Sequence, residues 1–378
     1  FSGALNVDNI IMLLSALLGD KAVFVPGETA IIFDEIQECP DARTSLKFFS
    51  IDGRYDVLAT GSLLGVEGYG KSPRSIPVGY ETVMDMYPLD LEEFLWANGI
   101  KDEIIELLGS CLETETPVPE ALHERMKQLL LQYTVIGGMP DAVQTFIDTG
   151  LMSDVLKVQR DILRSYEDDM VKYAEKKDKA LIRDCFLSIP NQLSKENKKF
   201  QYCLIKKGST ASRFAGSIKW IEDAGIIMRC YNLSTTELPL KSFALPDIFK
   251  VYMCDTGLFI AMLEDGTQFD VLNGDLYNYK GAVFEELVAD IFHKMGRELY
   301  YFHKDSGLEV DFVIRYKGKC TLVEVKASTG NTKSAKTILK HPEKYHVENV
   351  IKLGDYNIGR DGQILTLPHY MAFLLRKV

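Results

Sequence analysis

A chain of 378 residues, 46% hydrophobic and 26% charged, is too long for one ordinary core and too apolar for extended disorder. A net charge of −11 excludes a uniformly basic nucleic-acid coat, and no apolar run approaches the length of a membrane span. The seven cysteines are odd in number, scattered and never spaced C-x-x-C. That excludes a disulfide framework or a cysteine zinc site, and points to a cytoplasmic protein with no membrane partner.

The charge is unevenly distributed. Residues 1–170 hold 12 basic and 29 acidic side chains, residues 171–219 hold 12 basic and 4 acidic, and residues 301–378 hold 13 basic and 8 acidic. Two basic islands in an acidic chain are the places to look for phosphate contacts.

In chain order, the apolar run Ile10 to Leu18 is predicted to be a buried helix. It has neither a basic leader nor a small-residue cleavage site, so it does not read as a signal peptide. The chain starts at Phe1 rather than Met, and a segment upstream is expected to have been removed. Residues 30–38, Ala-Ile-Ile-Phe-Asp-Glu-Ile-Gln-Glu, read as a buried parallel strand that delivers two acids at its C-terminal edge. Open α/β sheets bind ligands at that edge. In a Walker B arrangement Asp34 holds Mg²⁺ through water and Glu35 orients the attacking water. Tyr55 to Ser62 reads as a neighbouring sensor strand, whose Thr60 and Ser62 reach a γ-phosphate.

Gly65 to Ser72 matches G-x-x-x-x-G-K-[ST] by letter, with Lys71 and Ser72 in the phosphate-binding places. It is nonetheless rejected as a phosphate loop. Pro73 and Pro77 oppose the helix that such a loop opens, and the motif follows the Walker B strand instead of preceding it.

Asp34-Glu35-Ile-Gln37, the Thr-Gly-Ser-Leu-Leu-Gly run from Thr60, Pro88 to Leu95, and Tyr133 to Asp141 with its Gly137-Gly-Met-Pro140 together resemble bacterial AAA-type ATPases of unknown role. The resemblance implies ATP and Mg²⁺ as cofactors of the intact parent, and a phosphate loop upstream of Phe1-Ser-Gly-Ala. Without that loop the chain alone is expected to bind ATP poorly. Relatives carry Arg where this chain has Tyr80, so no arginine role transfers there.

Residues 101–175 have apolar side chains at helical spacing, broken at Gly137-Gly138 and Pro140, and read as a helical lid. Asp161, Glu167, Asp168 and Asp169 on its last helix read as a solvated face rather than a metal site. Residues 179–235 read as a winged helix. One helix spans Ala180 to Ile189, a basic turn carries Lys195, Lys198 and Lys199, a second helix spans Arg213 to Ala224, and a strand runs Ile226 to Tyr231. Lys206, Lys207, Ser209, Arg213 and Lys219 are its candidate DNA phosphate contacts. A protein-interaction role for the same fold is the competing reading.

The strongest chemistry lies near the C-terminus. Gly281 to Val288 opens a helix, predicted amphipathic, that carries Glu285. Glu309-Val-Asp311 and Glu324-Val-Lys326 lie on strands joined through Lys317-Gly318-Lys319, and alternation places each acid on a common face. Asp311 and Glu324 are hard-oxygen ligands for Mg²⁺, Glu285 an outer carboxylate, and Lys326 the group that orients or helps deprotonate the attacking water. The spacing resembles the PD-(D/E)XK nuclease superfamily. An active nuclease, a nuclease-like fold used for binding, and a cross-strand ion pair without function are the three readings it admits.

The expected architecture is an α/β multidomain protein: a partial P-loop-type parallel sheet (1–98), a helical lid (99–178), a winged helix (179–245) and a restriction-endonuclease-like α/β domain (246–378). The expected function is ATP binding coupled to action on nucleic acid or a protein partner. The alternative is a non-catalytic regulatory protein using degenerate enzyme folds.

Overall fold

In the computed structural model, which describes residues 5–61, 79–174, 177–195, 199–275, 279–327 and 332–376, the chain forms two units, Phe1–Met86 and Tyr87–Val378. In the first, β1 (Ala30–Phe33) and β2 (Asp56–Ala59) pair in parallel, with Phe33 opposite Ala59. The crossover between them is α2 (Pro40–Asp52), which begins with Pro at its first turn and ends at Gly53, φ 70°. Helix α1 (Val7–Leu18) is capped by Asn6, whose side chain accepts from the Asn9 N–H at 2.8 Å. Val7, Ile10, Ile31, Phe49 and Tyr55 form a small core.

The helix over Ile10 to Leu18 forms as expected, but it is not buried. Only Val7 and Ile10 are covered, while Met12 and Leu17 are 60% and 82% exposed. A core of five side chains against two strands has room for one stripe of a helix. On the strands themselves Ile32 and its register partner Leu58 are exposed. The Gly65–Ser72 motif and Ser62 lie outside the described residues.

The second unit begins with α3 (Leu91–Ala97), whose Asp90 and Glu93 make a reciprocal capping box. Helices α4 (Asp102–Thr114), α5 (Glu120–Ile136), α6 (Pro140–Thr149) and α7 (Met152–Tyr173) follow. The Gly137-Gly138 break is a close approach of backbones. Gly138 O accepts from the Leu89 N–H at 2.8 Å, and a Cβ on Gly138 would sit 1.9 Å from Leu89 O. On α7, Glu167 pairs with Arg183 and Asp161 with Arg164, the behaviour of a solvated charged face.

Helices α8 (Lys179–Leu193) and α9 (Ala211–Asp223) form the expected pair, with Phe214, Ile218 and Ile221 buried. The strand after them, β3 (Ile227–Leu233), runs antiparallel to β4 (Ala244–Met253) and parallel to β5 (Leu299–His303). With β6 (Glu309–Val310) these make a four-stranded sheet in the order β4-β3-β5-β6. The helix pair is thus continuous with the sheet that leads into the C-terminal residues.

Short helices α10 (Thr256–Ala261) and α11 (Thr267–Asn273) precede α12 (Lys280–Lys294). Helix α12 was expected to be amphipathic and is instead buried on nearly every side. Beyond it, β7 (Phe312–Tyr316), β8 (Lys319–Val325), α13 (Lys333–Leu339), α14 (Pro342–Tyr345), β9 (Asn349–Gly354), β10 (Gly359–Asp361) and β11 (Ile364–Pro368) form a sheet ordered β10-β11-β9-β8-β7 with flanking helices. Its alternating residues enter different cores. Phe312, Ile314, Val323 and Ile351 join the one containing α12, while Val313, Leu322 and Val350 join the one containing Ala335 and Ile338 of α13. Lys317 and Gly318, at φ 47° and 76°, make the two-residue turn between β7 and β8.

Candidate functional site

In the first unit, parallel pairing puts Asp34, Glu35 and Thr60 at the same strand ends. Thr60 N–H donates to Phe33 O and Ile36 N–H to Thr60 O, both at 2.9 Å, locking the two ends together. The Thr60 hydroxyl donates to Asp34 Oδ1 at 2.5 Å and accepts from the Glu35 N–H at 3.1 Å. Glu35 takes a left-handed backbone, φ 49°, and its carboxylate accepts from the side chain of the buried Gln37. All three candidate residues are exposed. An exposed pair of acids with a hydroxyl between them suits a hydrated Mg²⁺ and a terminal phosphate.

In the second unit, β6 and β7 are separated by a bend at Asp311. The bend lets the Asp311 carboxylate turn across to β8, where Oδ2 accepts from the Val325 N–H at 2.8 Å. Glu324 is 2% exposed, and its Oε1 accepts from the Ala335 N–H, in the first turn of α13, at 3.1 Å. Between them sits Lys326, with Nζ 2.8 Å from Glu324 Oε2 and 3.9 Å from Asp311 Oδ2. Burial disfavours the Lys326 ammonium, but Asp311 and Glu324 outweigh it and raise its pKa above the ordinary value. The group is therefore a held cation.

Glu285, on α12, meets different partners. Its Oε1 accepts from Lys250 Nζ at 2.9 Å and from the Tyr252 hydroxyl, and Lys250 also lies 3.2 Å from Glu309 Oε1. Glu285 and Asp311 both act on the electrostatics of Lys250, and Glu285 and Asp311 both act on those of Lys326. The four acids thus belong to one electrostatic cluster. Among the described residues no set of three or more His, Cys, Asp or Glu is arranged to hold a metal ion. Asp311 and Glu324 are a two-carboxylate set of hard oxygens, which is what Mg²⁺ takes when water and substrate phosphate complete its shell. By donor chemistry these two fit the ion.

Sequence reasoning passed over Lys250 and Tyr252, which share one face of β4. Their signal was a Lys inside the apolar strand Phe249 to Met253. It also missed a second buried cluster, signalled by Asp290 and Lys294 four residues apart on an apolar helix. Lys294 Nζ lies 2.9 Å from Tyr133 Oη, 3.1 Å from Asp290 Oδ2, 3.2 Å from Leu89 O and 3.3 Å from Asp255 Oδ2. It also makes a charge contact, without hydrogen-bond geometry, with Asp290 Oδ1. Asp255 Oδ2 accepts from the Gly138 N–H at 2.6 Å, and Oδ1 from Leu258 at the start of α10. One lysine therefore ties α12 to α10 and to the Gly137-Gly138 break.

Glu286 lies beside this cluster, wholly buried, with Oε2 accepting from the Met253 N–H at 3.3 Å and Oε1 without a hydrogen bond. Burial, reinforced by Asp290, pushes its pKa well above the ordinary value. Burial also raises Asp290, against the pull of Lys294, from 3.8 to about 6. An acid whose folded-state pKa is raised adds stability that is complete below its unfolded pKa and is lost as pH rises through the folded one. Stability should accordingly decline as pH climbs from the ordinary carboxyl range to about 6 through Asp290, and over a further rise through Glu286. Glu286→Gln, which copies the protonated acid, should flatten the part of the decline that lies beyond the Asp290 step at about 6 in melts run from pH 5 to 9. An unchanged slope would show that Glu286 is not the titrating group.

Of the five candidate phosphate contacts, Lys206, Lys207, Arg213 and Lys219 are exposed and Ser209 is half-buried. Lys219 pairs with Asp223 at 2.5 Å, which reduces the charge it offers. All seven cysteines are unbridged, as expected from their spacing.

Residues 5–95 match the family model of an AAA domain, residues 127–268 a domain of unknown function (DUF8612), and residues 280–370 a domain of unknown function (DUF4143). No curated protein and no solved structure matches the chain. The AAA and DUF4143 matches support an AAA-type ATPase family, and an AAA domain uses ATP and Mg²⁺. Among the described residues no helix is long and apolar enough to cross a membrane.

Proposed function

We propose that the protein couples ATP binding to action on nucleic acid, and that Asp311, Glu324 and Lys326 form a Mg²⁺-dependent phosphodiester-cleaving site in a restriction-endonuclease-like domain. The observation that carries this reading is the convergence of Asp311, from the bend before β7, and Glu324, from β8, on the single ammonium of Lys326. Mg²⁺ bound there would supply Lewis-acid charge and a more acidic water. The backbone N–H groups of Val325 and Ala335 fix the two carboxylates before any substrate arrives. Lys326, 22% exposed, is placed to meet the negative charge that grows on a phosphate under attack.

In the first unit Asp34 would hold a hydrated Mg²⁺, Glu35 would orient water, and Thr60, with Ser62, would contact the terminal phosphate. Between the two sites in sequence come the lid and a winged helix whose Lys206, Lys207, Ser209, Arg213 and Lys219 track the DNA backbone. Binding that depends on such contacts is salt-dependent. The triple variant Lys206→Ala, Lys207→Ala, Arg213→Ala should weaken DNA binding evenly across sequences and flatten the salt slope by roughly 3 units, read by fluorescence anisotropy across a salt titration. Unchanged binding would remove this surface from the account.

A regulatory or interaction protein built on degenerate enzyme folds is favoured by one observation: each acid of the C-terminal cluster already has a lysine beside it. Mg²⁺-dependent cleavage of DNA, lost in Asp311→Asn, separates the two readings.

A further inference from the structure

Lys250 is 1% exposed, in a strand whose neighbouring Phe249, Val251 and Tyr252 are buried apolar side chains. A buried ammonium is unfavourable unless paired and hydrogen-bonded. This one contacts Glu285 from α12 and Glu309 from β6, and lies 4.7 Å from the Tyr301 ring centroid. Tyr252, two residues along β4, donates its hydroxyl to the same Glu285 oxygen that Lys250 meets. That oxygen therefore points at a protein cation and a protein hydroxyl.

The linked groups come from every element around the site: Lys250 from β4, Glu285 from α12, Glu309 from β6, Asp311 from the bend, and Glu324 and Lys326 at the end of β8. Formally, four carboxylates face two ammoniums. Beside each ammonium one formal negative charge remains, so Lys326 alone does not neutralise Asp311 and Glu324. The partly exposed members of the cluster are Glu309, Lys326 and Asp311, with side chains 37%, 22% and 17% exposed, and not Glu285, at 4%.

We infer that Lys250 is the internal counter-cation of this site: it takes Glu285 and Glu309 out of the ligand set and leaves Asp311 and Glu324 to hold one divalent cation. The inference rests on the proposed nuclease reading and makes Glu285 a positioning residue rather than a metal ligand.

Two measurements on the whole chain test it, Mn²⁺ calorimetry and thermal melting. Glu285→Gln should bind one Mn²⁺ with affinity within about threefold of wild type, whereas Asp311→Asn and Glu324→Gln should weaken it at least tenfold, the lower range for disturbed metal sites. A tenfold loss in Glu285→Gln would make Glu285 a ligand and overturn the inference while leaving the nuclease reading intact. Lys250→Met should lower the melting temperature by roughly 10 °C, because it strands a buried carboxylate. The double variant Lys250→Met, Glu285→Gln should recover most of that shift, since a neutral amide needs no counter-charge and still accepts from Tyr252. Should Lys250→Met fail to fold, recovery of folding in the double variant is the same result. A double variant no more stable than the single one would show that Lys250 does not act through Glu285. Absence of Mn²⁺ binding in the wild type would overturn the nuclease reading and the cation count together, while the melting cycle would still decide what Lys250 balances.

Discussion

Lys294→Met should lower the unfolding free energy of the second unit by about 3–5 kcal/mol, the cost of leaving buried charge without its partner. Asp255 and Asp290 are wholly buried, and Lys294 is the ammonium beside both. Asp255 cannot retreat, because it also holds the N–H groups of Gly138 and Leu258. The loss should therefore reach the Gly137-Gly138 break and α10 as well as α12. Urea melts followed by far-ultraviolet circular dichroism would measure it. Lys241→Met, which removes a pair to the half-exposed Glu298, is the control and should change little. A loss no larger than the control's would mean that the cluster relaxes or admits water, and is not the joint described here.

Asp311→Asn and Glu324→Gln should each reduce Mg²⁺-dependent cleavage to background, whereas Lys326→Met should reduce it by about 10²–10³-fold with Mn²⁺ binding retained. The difference follows from what each group touches. The side-chain amide introduced by either acid replacement would still accept from the N–H of Val325 or of Ala335, so the fold is spared while the charge that attracts the ion is lost. The lysine carries no oxygen for a metal, so its removal spares the ion and withdraws the charge that meets the phosphate. Cleavage and Mn²⁺-dependent thermal shift, measured on the same three variants, should separate them. A parallel loss of both in Lys326→Met would mean that the lysine positions the carboxylates and does not serve the reaction directly.

The hairpin carrying Glu324 was legible because two local rules agree, whereas the bend that sets Asp311 apart from β7 was not. Alternation with period two sets the faces, and Lys317-Gly318 sets the turn. The parallel pairing that joins Asp34 to Thr60 was legible for the same kind of reason, two short apolar strands separated by one helix. The partners of Glu285 were not legible, because Lys250 lies 35 residues away and meets it only where α12 packs against β4. Sequence periodicity reports which face a residue takes within its own element, and says nothing of which element arrives opposite. Helix α12 was misjudged in the same way. Its charged residues imply a solvent-facing side, whereas Glu285, Glu286, Asp290 and Lys294 are all buried in the core. The expectation that α1 is buried failed for the opposite reason, since apolar residues need a surface to cover them and two strands provide little.

The most direct test of the account is the fate of end-labelled single- and double-stranded DNA incubated with the whole chain in Mg²⁺ or Mn²⁺, beside the Asp311→Asn variant and a chelator control. The expected result is metal-dependent cleavage by the wild type and none by the variant or with chelator. Cleavage that persists in Asp311→Asn, or a wild type that neither cuts nor binds Mn²⁺, would contradict it.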